Sequence, residues 1–490
     1  MSTRLDPRGN AVSIDGLVLR TPGLDGDVTV SRPTRRTLRA EAKLTAEFDQ
    51  ALRNEGVQSQ WLVEIGNASE RPRAAAPTRS TSFGEDAWEL TVPAPNDAWE
   101  QFVLYRDEAG VVSWEFARDD GGQVDTRRGG ASRTYVLPRR VVQADPGTGT
   151  RGAFTAIGSK LLSVVAFKLI DPAIGAVGEF FAEKWEQKKR PYRLRTFTPD
   201  DYDQPDGAAI DDAMWRRLAG GRALLLVHGT FSRAHTGFGG MPRSFVEQLH
   251  AIYEGRVFAF DHFTLSHTPR ENIDWLLERL PADRDLDLDI LCHSRGGLVS
   301  RTLAEKQGEL AASRRAVKVG RVVFVAAPNG GTALADSKHM GSFIDSYTNL
   351  VNFVPDNGFT AVLEGVITVA KILATGTVRG LPGLRAMDPR GEFLPWLNAP
   401  ATTPAVYHAL ASDFEPAQSG WKEWAKNRLM DSIFKSANDL VVPTVGVYDA
   451  NGSDHFPIRD RLEFARSDGI SHTAFFGDRR AQEAILGWLG

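Results

Sequence analysis

Five short, unbroken apolar runs leave the second half of this 490-residue chain few ways to fold. They are Ala223–Val227, Val257–Phe260, Leu286–Leu291, Val322–Ala326 and Val406–Leu410, and helix-like stretches separate them. A strand that is apolar at consecutive positions is buried on both faces. Alternation of such strands with helices implies βαβ units, hence a mostly parallel sheet with helices on both faces. An α/β domain is expected over residues 220–490.

The first 150 residues read differently. Thr34–Asn54 has helical spacing (Leu38, Ala42, Leu44, Phe48, Leu52), and strand signals follow at Trp61–Ile65, Trp88–Val92, Phe102–Tyr105, Val111–Phe116 and Thr134–Leu137. Asp107–Gly110 reads as a hairpin turn. Residues 1–150 are therefore expected to form a small β-rich (α+β) domain with no recognisable chemistry, followed by a linker at Pro146–Gly152. That linker lacks the Gly-Lys-Ser/Thr ending of a phosphate loop. Phe154–Phe181 is apolar, but Lys160, Lys168 and Asp171 interrupt it and Pro172 follows at once. A membrane span needs roughly 20 uninterrupted apolar residues. The segment reads instead as two packed helices hinged at Asp171-Pro172, within a helical connector over 151–219. An amphipathic contact with membrane or substrate lipid is the alternative.

Composition narrows the partners. A net charge of −4 gives no global field toward nucleic acid or an anionic membrane. The arginine pairs Arg35-Arg36, Arg127-Arg128 and Arg139-Arg140 read as solvated loops. Cys292 is the sole cysteine, so no disulfide can form within the chain. Met1–Pro7 has no apolar stretch of the kind that opens a secretory signal. Together these point to a cytoplasmic location. Asp261, His262 and His267 cluster without a recognised metal spacing, and neither a metal nor a cofactor is expected.

One site stands out. In Leu288–Val299 an apolar strand runs directly into Ser294, with Cys292 two before it, Gly296 two after it, and a helix-like stretch beyond. A sharp strand-to-helix turn that exposes a strained serine tolerates only small flanking residues. The same turn puts the Arg295 amide at a helix N-terminus, where it can face an oxyanion. Leu224–Val227 is a buried strand leading into His228-Gly229-Thr230. Gly229 lets the backbone turn back toward the serine, so the Thr230 amide, or Phe231 as the alternative, supplies a second donor. His228 reads as structural, and Cys292 points away from the site.

Three stretches carry a resemblance: Val-His-Gly-Thr at 227–230, Cys-His-Ser-Arg-Gly-Gly at 292–297, and Val-Ala-Ala-Pro-Asn-Gly-Gly-Thr at 325–332. With them, residues 220–490 resemble the bacterial lipase/esterase-like branch of the α/β-hydrolases. In that fold the triad order is serine, acid, histidine. The resemblance implies Asp439, in Ser436–Pro443, as the acid and His472, 33 residues later, as the general base. Leu440 stands where such loops usually have glycine. Asp413 is the runner-up acid, Asp431 a weaker one, and His455 the alternative base. Phe231 and His293 are candidate substrate contacts.

The insertion at about 333–403 carries two apolar stripes, Phe343, Tyr347, Leu350, Val351, Phe353 and Leu363, Val366, Ile367, Val369, Ile372. They read either as ordinary core faces or as a helical cap that shapes an apolar acyl pocket. The expected activity is hydrolysis of a carboxylic ester, lipid-like in its acyl part, through an acyl-enzyme on Ser294. The competing reading is a regulated effector that uses the hydrolase fold and binds a protein partner through residues 1–150.

Overall fold

In Leu17–Arg20, and again in Trp88–Val92, alternate side chains are buried, the period of a strand with one face on a core. The computed structural model describes residues 2–32, 43–70, 87–108, 110–117, 132–138, 159–281, 283–310, 317–336, 339–353, 359–377, 381–399, 403–414, 437–450 and 456–490. The chain divides into two compact units. One holds residues up to Val177 together with Ile367–Thr377, and the other holds most of Gly178–Gly490.

The N-terminal unit contains two antiparallel sheets. Six strands lie in the order Ser2–Arg4, Leu24–Ser31, Gln58–Glu70, Ser159–Lys168, Trp99–Arg106, Val112–Glu115. Four lie in the order Val12–Ile14, Leu17–Arg20, Trp88–Pro93, Ser132–Leu137. Leu17, Leu19, Leu90 and Tyr135 of the smaller sheet join Val28, Val63, Val103 and Val164 of the larger in one apolar core. The hairpin at Asp107–Gly110 forms as its sequence suggests, with Trp99–Arg106 antiparallel to Val112–Glu115 and Gly110 at φ 83°. The helix is described from Lys43 to Asn54. The linker at 146–152 and the three arginine pairs lie outside the described residues.

Residues 159–181 correct the sequence reading. They do not form two hinged helices. Ser159–Lys168 is an interior strand, antiparallel to both Gln58–Glu70 and Trp99–Arg106. Lys160, read as an interruption, is fully buried, with its ammonium 2.6 Å from the Glu108 carboxylate and over the Trp88 and Tyr105 rings. A paired lysine can sit inside a sheet where an unpaired one cannot. Pro172 falls in the turn between Ile170–Asp171 and Gly175–Ala176, and helix begins only at Phe181. The stretch 151–219 is therefore no helical connector: it gives Ser159–Lys168 to one sheet and Arg193–Thr196 to another.

The C-terminal unit has a mostly parallel sheet with helices on both faces. Its seven strands lie in the order Arg193–Thr196, Val257–Asp261, Ala223–Val227, Leu286–His293, Val317–Val325, Val406–Ser412, Ile458–Phe464, and only the first runs antiparallel to its neighbour. All five expected strands are present. Consecutive residues serve opposite faces, as a doubly buried strand requires. Ala223, Leu225 and Val227 pack with Leu276 and Leu277 of helix Pro269–Arg279 and with Val299 and Leu303 of helix Gly296–Lys306. Leu224 and Leu226 pack with Phe245 and Leu249 of helix Arg243–Ile252 and with Ile485 and Leu489 of helix Arg479–Leu489. Between Val317–Val325 and Val406–Ser412 stand the helices Met340–Phe353, Phe359–Ala374, Pro382–Arg385 and Phe393–Leu397. Among the described residues no helix is long and apolar enough to cross a membrane.

Candidate active site

The strand Leu286–His293 ends at Ser294, whose φ of 53° is left-handed and strained for a residue with a side chain. The Ser294 amide donates to the Val325 carbonyl at 2.8 Å, and the helix Gly296–Lys306 starts two residues on. The need for small neighbours is steric. A Cβ on Gly296 would lie 2.3 Å from the Val227 carbonyl oxygen, and one on Gly297 2.3 Å from Ala327 Cβ. Cys292 fits upstream: it is buried, its Sγ is 3.3 Å from the Val323 carbonyl, and burial pushes its thiol up to about 12. That thiol is neutral and unsuited to act as a nucleophile.

The structure brings Ser294, His472 and Asp439 together. His472 Nε2 is 3.0 Å from Ser294 Oγ, and His472 Nδ1 is 2.8 Å from Asp439 Oδ2. A carboxylate facing Nδ1 keeps the proton there and leaves the Nε2 lone pair for the serine hydroxyl. Asp439 Oδ1 accepts the amides of Val441 at 3.1 Å and Val442 at 2.8 Å, which fixes the carboxylate. Leu440 has φ 85°, the conformation for which glycine is the usual choice at this position. All three side chains are buried, with Ser294 only 1% exposed. Asp413 faces Arg466 instead, at 3.3 Å. Asp431 and His455 lie outside the described residues.

Gly229 turns under the serine, and a Cβ there would meet Ser294 Cβ at 2.6 Å. Among the described residues, neither the Thr230 nor the Arg295 amide donates to a protein acceptor. Two unclaimed amides on the turns flanking a nucleophile can take a negative oxygen. Phe231 follows at φ 57°, fully buried, with its ring against Phe343 and edge-on to Tyr347 at 4.9 Å. His293 packs against the His472 ring and holds the His472 carbonyl at 2.8 Å through Nε2.

Sequence reasoning missed two networks here. His228 and His262 stack 4.2 Å apart, with His228 Nδ1 on the Gly229 carbonyl and Nε2 accepting the His262 amide at 3.1 Å. The amide donated to Nε2 holds His228 neutral, whereas His262, both of whose ring nitrogens face carbonyls, is held neutral by burial. The second network centres on the Arg295 side chain, fully buried and, among the described residues, without a carboxylate hydrogen-bonded to it. Its guanidinium donates to the carbonyls of Gly383, Phe263 and His267 and to Asn272 Oδ1. Burial lowers it to about 10, so it remains charged at neutral pH. The loop that supplies two of these carbonyls is held by Glu186, whose carboxylate accepts the amides of Thr264, Leu265 and Ser266 and the Ser266 hydroxyl. No local pattern marks either network, because each joins residues far apart in the chain.

Burial lowers His228 to about 4 and His293 to about 3, and holds His262 well below an ordinary imidazole. In the unfolded chain each titrates near 6.5. The unfolded state therefore binds more protons between those values, and stability that is present above about pH 6.5 is lost as pH falls toward 4. Each of His228 and His293 should remove on the order of 2 kcal/mol by pH 5. Urea unfolding at pH 8, 6.5 and 5 checks this; an unchanged midpoint would contradict it.

No curated protein matches the sequence. Among solved structures, the chain is similar to lipase 1 from Pelosinus fermentans, at 13% identity and a TM-score of 0.39, over 55% of this chain and 97% of that one. It is similar to a carboxylesterase structure from the thaumarchaeon Nitrososphaera gargenis, at 15% identity and a TM-score of 0.29, over 55% and 90%. It is also similar to homoserine O-acetyltransferase from Staphylococcus aureus, at 11% identity and a TM-score of 0.31, over 55% and 86%. The family described as "Domain of unknown function (DUF7379)" matches residues 189–490, more than half of the chain, and this protein belongs to that family.

Proposed function

We propose that the C-terminal unit is a serine hydrolase that cleaves a carboxylic ester through an acyl-enzyme on Ser294. The observation that carries this is the relay in which Ser294 Oγ, His472 and Asp439 stand within 3.0 Å and 2.8 Å of one another at a left-handed serine. As Oγ attacks the ester carbonyl carbon, His472 Nε2 takes its proton, and Asp439 holds the imidazolium in place. The Thr230 and Arg295 amides hold the oxygen that becomes negative. His472 then gives the proton to the leaving alkoxide. Water attacks the acyl-enzyme by the same steps in reverse and frees the acid.

A lipid-like acyl group is the reading supported by the apolar surroundings. Phe343 and Tyr347 of helix Met340–Phe353 pack on Phe231, beside the proposed oxyanion amides. We take that helix as part of a cap: with Ser294 1% exposed, a substrate must displace the side chains that cover it.

The test is hydrolysis of p-nitrophenyl esters from acetate to laurate, with Ser294→Ala alongside, and labelling by a fluorophosphonate. Cleavage that disappears in Ser294→Ala supports the proposal, and the best chain length sizes the pocket. If the wild type cleaves none of the series and Ser294 is not labelled, the proposal fails.

A further inference from the structure

Tyr347 lies on the helix Met340–Phe353, 53 residues beyond the nucleophile, and belongs to no recognised motif. It is 4% exposed. Its ring is edge-on to Phe231 at 4.9 Å, nearly perpendicular to the His472 ring at 6.2 Å, and tilted on Phe343 at 5.0 Å. These contacts fix the phenol between the residue that follows Thr230 and the imidazole that serves Ser294. The Ser294 and Thr230 side chains both act electrostatically on its hydroxyl. A buried tyrosine hydroxyl ordinarily finds a partner, and one set beside the reacting serine needs an explanation.

We infer that Tyr347 is a third oxyanion donor, a catalytic residue acting beside the Thr230 and Arg295 amides. The inference rests on the proposed role of Ser294. In the resting site the Ser294 hydroxyl faces His472 Nε2 at 3.0 Å. When Oγ bonds to the carbonyl carbon, the proton passes to His472 Nε2 and the carbonyl π pair moves to the carbonyl oxygen. Oγ becomes an ester-type oxygen and a poor acceptor, while a strong acceptor appears next to Thr230. The Tyr347 O–H keeps its proton and donates it in a hydrogen bond to that oxygen. Burial holds the phenol pKa above its ordinary value, so the hydroxyl remains a neutral donor throughout the pH range of the reaction. A donor whose bond strengthens only in the transition state raises kcat rather than lowering KM.

Tyr347→Phe separates this from packing, because it keeps the ring and its contacts with Phe231, Phe343 and His472. With p-nitrophenyl butyrate as substrate, Tyr347→Phe should lower kcat by about 10²-fold with little change in KM, in line with loss of one oxyanion donor. Its thermal midpoint should stay with the wild type. Inhibition by an alkyl trifluoromethyl ketone, which gives Ser294 a tetrahedral adduct, should weaken by a similar factor. Butyrate esters with an alkyl leaving group should lose as much as the p-nitrophenyl ester. A loss confined to alkyl esters would make Tyr347 a leaving-group donor and overturn the inference. So would a Tyr347→Phe enzyme within about threefold of wild type while Ser294→Ala is inactive. If Ser294→Ala stays active, or the wild type is inert, the role of Ser294 falls and this inference falls with it.

Discussion

His472→Ala should lower kcat on a p-nitrophenyl ester by about 10⁴- to 10⁶-fold, and Ser294→Ala/His472→Ala should lose no more than the worse single variant. The reason is that the serine hydroxyl is a weak nucleophile unless its proton has somewhere to go. Once His472 is absent, the 3.0 Å bond that activates Ser294 is gone, so removing the serine as well takes away nothing that still works. What survives in all three variants is binding and the oxyanion donors, which need neither residue. Asp439→Asn should fall in the same range, near 10⁴-fold, because an amide facing Nδ1 favours the tautomer with its proton on Nε2. Multiplicative losses in the double variant would mean that the two side chains act separately, and the proposed relay would be wrong.

The second large effect is on stability. Arg295→Lys should unfold at a markedly lower urea concentration, with a loss of roughly 3 kcal/mol or more. The Arg295 guanidinium serves three carbonyls and an amide oxygen on separate segments, and each buried acceptor left unpaired costs about 1–3 kcal/mol. A lysine ammonium is a single point on a flexible stem and cannot reach that spread of acceptors. Arg295→Ala should be at least as damaging, since it also leaves a void beneath the serine turn. Equal midpoints for Arg295→Lys and wild type would show that the planar fork is unnecessary. The Arg295 amide, by contrast, is untouched by either change, so whatever folded protein remains should still be labelled by a fluorophosphonate.

These residues also show what a sequence can and cannot reveal. The parallel strands are legible because burial on both faces forces unbroken apolar runs. The two edge strands of that sheet are not: Arg193–Thr196 reads Arg-Leu-Arg-Thr, and Ile458–Phe464 carries Arg459, Asp460 and Arg461 on exposed positions. A strand with one neighbour has a side to give to solvent. Ser294 is legible because its turn excludes bulk from positions close in sequence, where Gly296 and Cys292 betray it. Tyr347 and Glu186 are not, because Tyr347 meets Phe231 and His472 across more than 100 residues and Glu186 meets the 264–266 loop across 78 to 80, and no local spacing records such contacts. The strand Ser159–Lys168 was hidden by its own lysine, whose partner Glu108 is likewise distant in sequence. Leu440 departs from the usual glycine, yet it adopts the φ of 85° that glycine would have taken. Side-chain identity there gave no sign that the loop geometry had been kept.

The position of Glu186 sets a practical limit on where the C-terminal unit can be cut. The family match begins at residue 189, so a shortened protein drawn to that boundary would discard the helix residue whose carboxylate takes three amides of the 264–266 loop. The loop would lose its clamp, and the carbonyls that cradle Arg295 from below would be free to drift. A cut before Phe181 keeps the clamp. The stretch that carries the family's sequence signature thus leaves out a side chain that holds the loop around Arg295.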